Sequence, residues 1–251
     1  MNENDIYLSI VIPVYNEEEN IVPQTEEIVD ALKEFDKKYE IIFVDDGSKD
    51  NTLPLIEKMV KKFPDKVRFF SFKENRGQTA AFLAGFKEAK GTLVATLDGD
   101  MQNDPNDLPK MIEHLEKSGF DMVNGIRAKR RDNIIRKISS KIGNGFRNWM
   151  TKESVSDVGC SIRVMKRECV QDLPPFNGMH RFFPTLVRMK GYTITEIPVN
   201  HRERTRGTSK YGVLNRAFVG FNDVMAVRWM LKRYLKWEYK KTSDDLKREE
   251  K

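Results

Sequence analysis

The chain has 251 residues, of which 39% are hydrophobic and 33% charged, and its net charge is +6. This composition supports a globular core and favours anionic partners, while the two separate cysteines and three scattered histidines exclude a disulfide framework and a Cys/His zinc site. The amino terminus lacks the features of a signal peptide, and no apolar run reaches the roughly 18 residues of a membrane span. We therefore expect a cytoplasmic protein that does not cross a membrane.

Short apolar runs alternate with amphipathic stretches in the first half of the sequence. Strands are predicted, in chain order, at LSIVIPVYN, EIIFVDDGS, VRFFSF and TLVATLD. Apolar residues at helical spacing predict a helix after each of the first three strands, and Gly77 opens the third helix. Strands joined by helices pair in parallel through right-handed crossovers. The pattern therefore predicts an α/β unit, with a mainly parallel sheet flanked by helices, over residues 1 to about 125.

Strand signals weaken in the second half, where the candidates are CSIRVM and YTITEIPVNH. A long helical pattern begins near Val213, and a charged segment, SDDLKREEK, ends the sequence. Such a segment has too few apolar residues to order itself by burial. We therefore divide the chain into an α/β domain at residues 1–212, an amphipathic helical region at 213–242 and a disordered tail at 243–251.

Acidic side chains follow two of the predicted strands. Asp46 follows the second strand, and Asp98 and Asp100 follow the fourth. Ligands of open α/β sheets bind beyond the carboxyl ends of the strands, which favours a metal or phosphate site. Taken alone, the segment with Asp98 and Asp100 is explained equally well by solvated turn residues. The alternative for the segment with Asp46 is a turn with a helix cap. Neither a P-loop nor a GxGxxG fingerprint is present, so a nucleotide here requires side chains and a cation.

Four segments, in this order and spacing, resemble the family 2 glycosyltransferases of the GT-A fold: VIPVYNEEENI, FVDDGSKDNT, NRGQTAAFLAGF and LDGDMQNDP. They are similar above all to the branch of dolichol-phosphate mannosyltransferase and the bacterial undecaprenyl-phosphate glycosyltransferases. DVGCSIRVM and RTRGTSKYG extend the resemblance over roughly residues 6–215. The resemblance implies a Rossmann-like sheet, a UDP- or GDP-sugar donor, Mg²⁺ or Mn²⁺, and inversion at the anomeric carbon.

The resemblance also implies roles for individual residues at the strand ends. The nucleotide pocket falls on Pro13, Tyr15, Glu17 and Asp46. Asp98 and Asp100 match the DxD motif, with Gln102 beside it. Oxygen ligands of this kind suit a hard cation that bridges diphosphate oxygens. By contrast, Asp104 precedes Pro105 and is predicted to be a turn residue or helix cap.

Two basic segments follow, and the resemblance assigns phosphate contacts within both. The residues concerned are Arg127, Arg136 and Ser140 in the first segment, and Arg204, Ser209 and Lys210 around Gly207 in the second. Guanidinium groups suit phosphate oxygens, and a glycine loop that carries cations can close over a pyrophosphate. The alternatives are a solvated face at residues 129–131 and a basic surface loop around Gly207.

The long helical pattern carries an apolar stripe from Leu214 to Trp229, followed by lysines and arginine with Tyr234 and Trp237 among them. Aromatic rings beside lysines on one amphipathic helix suit a membrane interface. A helix packed on the domain or on a dimer partner is the alternative. Members of the resembling family often continue into transmembrane helices at this point, and this sequence departs from that pattern. We therefore expect peripheral attachment to the membrane surface, or a separate membrane-protein partner or homo-oligomer.

These features together predict an inverting, metal-dependent transferase that moves a sugar from a nucleotide diphosphate to a polyprenyl phosphate at the cytoplasmic membrane face. A phosphate acceptor needs no general base, whereas a hydroxyl acceptor on a glycan or lipid would, and Asp157 could then serve. A non-catalytic nucleotide-sugar or lipid-binding module remains a further alternative. A nucleic-acid binder is disfavoured, because aromatic residues are not interleaved with the basic run.

Overall fold

The computed structural model describes residues 5–128, 145–152, 155–203 and 213–235, with side chains of the last range described from residue 220 onward. One sheet runs through this part of the chain, in the order β3-β2-β1-β4-β6-β5-β7. Every neighbouring pair is parallel except the two pairs made by β6, which is antiparallel to β4 and β5. The strands are β1 (Leu8–Val14), β2 (Tyr39–Asp45), β3 (Val67–Ser71), β4 (Leu93–Thr96), β5 (Met122–Arg127), β6 (Arg163–Lys166) and β7 (Ile194–Val199).

Helices cover both faces of this sheet. They are α1 (Glu18–Ala31), α2 (Thr52–Lys62), α3 (Gln78–Glu88), α4 (Asp107–Ser118), α5 (residues 145–151), α6 (Arg167–Val170), α7 (Phe183–Met189) and α8 (Val213–Arg233). A 3₁₀ turn at Met179–Phe182 leads into α7. Over the described ranges, no helix combines the length and apolar character that a membrane crossing requires.

Two hydrophobic cores lie on opposite faces of the sheet. Successive strand residues point to opposite faces, so Ile10 and Ile41 enter the first core while Val11 and Ile42 enter the second. Helices α1, α2 and α4 contribute to the first core, and α3, α7 and α8 to the second. Because β1 and β2 are buried on both faces, their sequences read as continuous apolar runs.

The strand order places a crevice above β1. The chain passes from β1 to β2 and β3 on one side, then returns to pair β4 with the other side of β1. At such a switch in strand order, the connections diverge and leave a crevice at the carboxyl ends of the strands. Asp46 and Asp98 follow the two strands that flank β1. The fold therefore brings the predicted site residues of both strands to one edge.

The predicted mainly parallel α/β sheet is confirmed, with strands at all six predicted segments. The sheet continues past residue 125, since β6 inserts between β4 and β5 and β7 completes the far edge. The strand signal misses β5, whose centre is the buried pair Asn124 and Gly125 rather than an apolar run. A Cβ at Gly125 would lie 2.8 Å from Val199 and 2.9 Å from Cys160, so the close packing of β5 requires glycine there.

Candidate active site

The turns that follow β1 and β2 are joined by hydrogen bonds. Asn16 donates its backbone N–H to Ser48 Oγ at 2.9 Å and accepts the N–H of Lys49 at 2.8 Å. Its φ of +51° is in the left-handed region, which asparagine tolerates better than most residues. Tyr15 and Glu17, two residues of the predicted nucleotide pocket, are half-buried on either side of it. A third, Pro13, is buried within β1 itself. The turn thus holds these residues at the carboxyl end of β1.

Asp46 links the end of β2 to the start of α3. Its two carboxylate oxygens accept the backbone N–H groups of Arg76 at 2.6 Å and Gly77 at 2.8 Å. Burial raises the pKa of Asp46 above its ordinary value and the charge of Asp45 acts in the same direction, whereas the two backbone bonds oppose the rise. Gly77 has a φ of +89°, which favours glycine at the helix entry. The carboxylate at the predicted nucleotide pocket is therefore fixed by backbone donors.

Asp98, the first acid of the DxD motif, is held from three directions. Its Oδ1 accepts a hydrogen bond from Gln78 Nε2 at 2.9 Å, and its own N–H donates to Asn103 Oδ1 at 2.9 Å. Gln24 of α1 donates to its carbonyl oxygen at 2.7 Å. Gln78 and Gln24 are contacts that the sequence analysis did not identify. Gln78 lies two residues after Arg76, so the short segment that leads into α3 contacts both Asp46 and Asp98.

Asp100 and Gln102 lie on a tight turn after Asp98. Asp100 Oδ1 accepts the backbone N–H of Gln102 at 3.2 Å, and Met101 between them has a φ of +60°. A left-handed non-glycine residue is costly and occurs often at functional sites. Gln102 Nε2 donates to the carbonyl oxygen of Arg202 at 3.2 Å. This bond uses an N–H of the Gln102 side chain and leaves the oxygen of its amide available. The turn therefore presents side-chain oxygens from alternate residues of the DxDxQ sequence.

These side chains fit a hard divalent cation as an open site. Asp98 and Asp100 are half-buried and supply carboxylate oxygens, to which Gln102 can add an amide oxygen. Neither here nor elsewhere in the described ranges do three or more His, Cys, Asp or Glu side chains form a group that could hold a metal on its own. Mg²⁺ is commonly bound by one or two carboxylates, with water and substrate phosphates completing its shell. The donor set thus matches a metal shared with a diphosphate.

Arg127 and Asp157 form a bidentate ion pair at the end of β5. Asp157 accepts from Nε and Nη2 of Arg127, both at 2.7 Å, and from its backbone N–H at 3.2 Å. The side chains are only 15% and 6% exposed, respectively. The predicted phosphate contact and the alternative general base are therefore bound to each other. Both carboxylate oxygens of Asp157 are therefore engaged by the Arg127 guanidinium.

A buried arginine lies on β6 opposite the end of β4. Arg163, which is 3% exposed, is the register partner of Thr96 and donates to Asn124 Oδ1 at 3.1 Å and to the carbonyl oxygen of Val158 at 3.0 Å. Burial lowers its pKa, and the charges of Asp98 and Asp157 oppose that fall. The sequence motif DVGCSIRVM contains this cation but gave it no role.

Five residues that are predicted to contact phosphate, three of them in the glycine loop, lie outside the described residues: Arg136, Ser140, Arg204, Ser209 and Lys210. Their roles stay predictions. Arg202, at the start of the second basic segment, forms ion pairs with Glu27 at 2.5 Å and Asp104 at 2.9 Å. Burial alone would raise the pKa of Asp104, but hydrogen bonds from Asn106 and the charge of Arg202 hold it below its ordinary value. Asp104 thus anchors Arg202 beside the DxD turn.

Thr79 connects the first turn of α3 to the 3₁₀ turn through His180. Thr79 Oγ1 and His180 Nδ1 are 2.8 Å apart, and burial lowers the pKa of His180 to about 3. In the unfolded chain the imidazole takes up a proton near pH ~6.5, so folding stability is present above that pH and falls as pH drops from ~6.5 towards 3.

We expect His180→Gln to reduce this acid sensitivity, measured as the difference in Tm between pH 7.5 and pH 5. His114→Gln is the matched control, and an equal change in both variants would contradict the expectation.

Comparison with known proteins identifies the family of this chain. The model of the family described as "Glycosyl transferase family 2" matches residues 9–173. The chain is 36% identical over 228 residues to the dodecaprenyl-phosphate galacturonate synthase of Rhizobium johnstonii, covering 90% of this chain and 67% of that protein. It is 35% identical over 208 residues to the undecaprenyl-phosphate 4-deoxy-4-formamido-L-arabinose transferase of Edwardsiella ictaluri, covering 83% and 64%. The chain thus spans about two thirds of the length of these curated relatives.

Solved structures show the same fold. A mannosyltransferase from Pyrobaculum calidifontis, in complex with GDP-mannose and Mn²⁺, superposes with a TM-score of 0.60 at 19% identity, covering 94% of this chain and 67% of that one. Glucosyl-3-phosphoglycerate synthase from Mycobacterium tuberculosis, with Mn²⁺, UDP and glucosyl-3-phosphoglycerate, gives 0.63 at 19%, covering 90% and 80%. With the family match, the relatives and the acids at the switch point in agreement, the chain belongs to glycosyltransferase family 2.

Proposed function

We propose that this chain catalyses the inverting transfer of a sugar from a nucleotide-diphosphate sugar to a polyprenyl phosphate. The observation that carries the proposal is that residues 76–78, which lead into α3, bind both Asp46 and Asp98 and so link the predicted nucleotide pocket to the DxD motif. The names of both curated relatives specify a polyprenyl phosphate but different sugars. They therefore support the acceptor class and leave the sugar open, while the two solved structures hold either a GDP-sugar or UDP.

The proposal includes Mg²⁺ or Mn²⁺, which both neighbouring structures support by containing Mn²⁺ beside the nucleotide. In this chain Asp98, Asp100 and Gln102 would hold the cation. Bound there, it would neutralise the negative charge that develops on the leaving diphosphate. Asp46 would accept hydrogen bonds from the ribose or base, because its carboxylate oxygens retain acceptor capacity beside the two backbone donors.

A phosphate acceptor is favoured over a hydroxyl acceptor by the ion pair of Asp157. Transfer to a hydroxyl requires a group that removes its proton, whereas a phosphate already carries negative charge at neutral pH. Asp157 is the acid considered for that role, yet Arg127 binds both of its carboxylate oxygens. The pair therefore supports chemistry without a side-chain base.

The exposed apolar surface supports attachment to a membrane, and we place this attachment at the cytoplasmic face as part of the proposal. Large exposed hydrophobic residues of the described chain all lie on α5, on α8 or directly after it: Phe146, Trp149, Phe221, Met225, Trp229, Tyr234 and Leu235. Contiguous exposed apolar patches commonly mark membrane or protein interaction sites. Val224 and Val227 of the same α8 are buried in the second core. The helix thus packs on the domain with one face, while the other face is available for a membrane.

One assay tests the proposed reaction. Purified protein is incubated with a panel of UDP- and GDP-sugars, a short polyprenyl phosphate, and Mg²⁺ or Mn²⁺. We expect one donor to release nucleoside diphosphate in a one-to-one ratio with sugar-linked lipid phosphate. Transfer only to hydroxyl acceptors would support the glycan or lipid alternative, and donor binding without turnover would support a non-catalytic module. Binding of DNA or RNA that survives Asp100→Asn would favour a nucleic-acid partner.

Gln78→Ala is expected to weaken binding of Mn²⁺ about tenfold, because partners of metal-ligating carboxylates typically contribute 10–100-fold to affinity. The variant removes the hydrogen bond that orients Asp98 Oδ1. The measurement is electron paramagnetic resonance of Mn²⁺ titrated into protein with saturating UDP or GDP. Gln171→Ala, at an exposed position outside the site, is the control. Unchanged Mn²⁺ affinity in Gln78→Ala would show that Gln78 does not support the metal site.

Trp149→Ser combined with Trp229→Ser is expected to release the protein from anionic vesicles, because the two rings are 71% and 64% exposed on the apolar patch. The measurement is vesicle co-sedimentation, with activity on a short acceptor as the test of folding. The control is Gln171→Ser, at an exposed position outside both the patch and the candidate active site. Sedimentation equal to that of the unmodified protein would contradict membrane docking by α5 and α8.

A further inference from the structure

A cavity of about 450 Å³ lies between α5 and the last turns of α8. Its lining combines three cations, Lys152, Arg228 and Lys232, with apolar surface from Trp149 and Leu231. Among the described residues that line it, none is acidic. The cavity is therefore positive and amphipathic, whereas the candidate active site is built largely from carboxylates.

The three cations have no carboxylate partner within the described ranges. The polar contact of Arg228 there is a hydrogen bond from Nη1 to Met150 Sδ at 2.9 Å, a weak acceptor. Lys232 follows Arg228 by four residues and therefore lies on the same face of α8. Lys152 has a φ of +54°, a conformation that a lysine adopts at a cost. Like charges placed around one cavity repel each other, so the arrangement favours an anionic ligand.

The surroundings indicate what kind of anion fits. Trp149, which borders the cavity, is 71% exposed, and Trp229 and Leu235 of the exposed patch are close to Arg228 and Lys232 in the chain. A free inorganic anion would use the cations but gain nothing from this apolar surface. A phospholipid offers both a phosphate for the cations and hydrocarbon beside the rings, as tryptophan and lysine at membrane interfaces require.

We propose that this cavity binds the headgroup phosphate of an anionic phospholipid when α5 and α8 lie on the membrane. The site rests on the proposed membrane docking and adds a specific lipid to it. It is separate from the donor and metal site, since the residues that we assign to donor and metal binding are absent from the cavity lining. Phosphate oxygens would accept hydrogen bonds from Arg228, with Lys152 and Lys232 supplying further charge.

Arg228→Gln tests the site against Arg233→Gln, which removes the same charge from an exposed position of α8 that does not line the cavity. The probes are vesicles of phosphatidylcholine with and without phosphatidylglycerol, and soluble dihexanoyl-phosphatidylglycerol measured by calorimetry. We expect Arg228→Gln to lower affinity for phosphatidylglycerol vesicles at least tenfold, Arg233→Gln less than threefold, and Arg228→Lys to retain binding. The soluble lipid should bind one-to-one, and equimolar inorganic phosphate should not displace it.

The other outcomes separate this site from the proposals on which it rests. Equal binding to vesicles with and without phosphatidylglycerol would overturn the lipid site while leaving membrane docking intact. Loss of transfer to a short acceptor in Arg228→Gln would assign the cavity to the acceptor, and displacement by inorganic phosphate would assign it to a free anion. Dimerisation that Arg228→Gln abolishes would assign it to a second copy. If Arg228→Gln lowers Tm, Lys152→Gln replaces it, and unchanged affinity in that variant overturns the proposal.

Discussion

Asp100→Asn is expected to lower turnover at least about a thousandfold, since a metal held there would stabilise the leaving diphosphate by several kcal/mol. Asp100 lies on the turn after Asp98, and the substitution removes one of the two carboxylate charges available to the cation there. The fold should be retained, because Asn preserves the side-chain oxygen that accepts the N–H of Gln102. The measurement is nucleoside diphosphate release as a function of Mn²⁺ or Mg²⁺ concentration, beside thermal unfolding.

Asp172→Asn provides the matched control for this variant. Asp172 is exposed and has a φ of +55°, which asparagine also tolerates, so the same chemical change should leave fold and activity intact. Asp98→Asn should also be severely impaired, because both acids contribute to the same open site. Wild-type turnover of Asp100→Asn at limiting metal would show that the metal assignment is wrong.

Asp157→Ala is expected to destabilise the protein by about 3–5 kcal/mol, because it leaves the guanidinium of Arg127 in a largely buried position without its partner. Asp157 accepts three hydrogen bonds from Arg127, two from the side chain and one from the backbone. The free energy of unfolding is measured by urea titration. Lys166→Ala, which breaks the more exposed pair with Asp121, is the control and should cost much less.

A double variant separates the structural role of the pair from a catalytic one. Replacing both partners with apolar residues, as in Arg127→Met with Asp157→Leu, should recover most of the lost stability. Transfer to a polyprenyl phosphate should remain impaired if Arg127 contacts a phosphate as the resemblance implies. An Asp157→Asn variant that folds normally, transfers to phosphate and fails only with hydroxyl acceptors would instead make Asp157 the general base.

The sequence predicted β1, β2 and β4 well because each is buried on both faces and reads as a largely apolar run. It missed β5 because the centre of this strand is not apolar. The Asn124 side chain donates to the carbonyl oxygen of Asp157 and to Glu196 Oε1, and Gly125 leaves room for the neighbouring strands. Such positions are determined by neighbours distant in the chain. Periodicity within one segment therefore carries no sign of them.

The candidate site shows the same division. Asp46, Asp98 and Asp100 were predictable because acids directly after apolar strands stand out, and the family resemblance gave them roles. Gln78 was not, because a glutamine in the first turn of a helix is ordinary until the sheet order places it beside Asp98. The pairing of Arg127 with Asp157, 30 residues apart, likewise depends on how β5 and β6 meet.

The bonds that fix Asp46 come from the backbone of residues 76 and 77, and this has a consequence for protein engineering. Every amino acid except proline presents the same N–H at position 76, so the exposed Arg76 can be exchanged without loosening the carboxylate. Position 77 is different, because its φ of +89° favours glycine. A saturation library at position 76 would therefore vary charge and size beside Asp46 while the backbone donor stays unchanged.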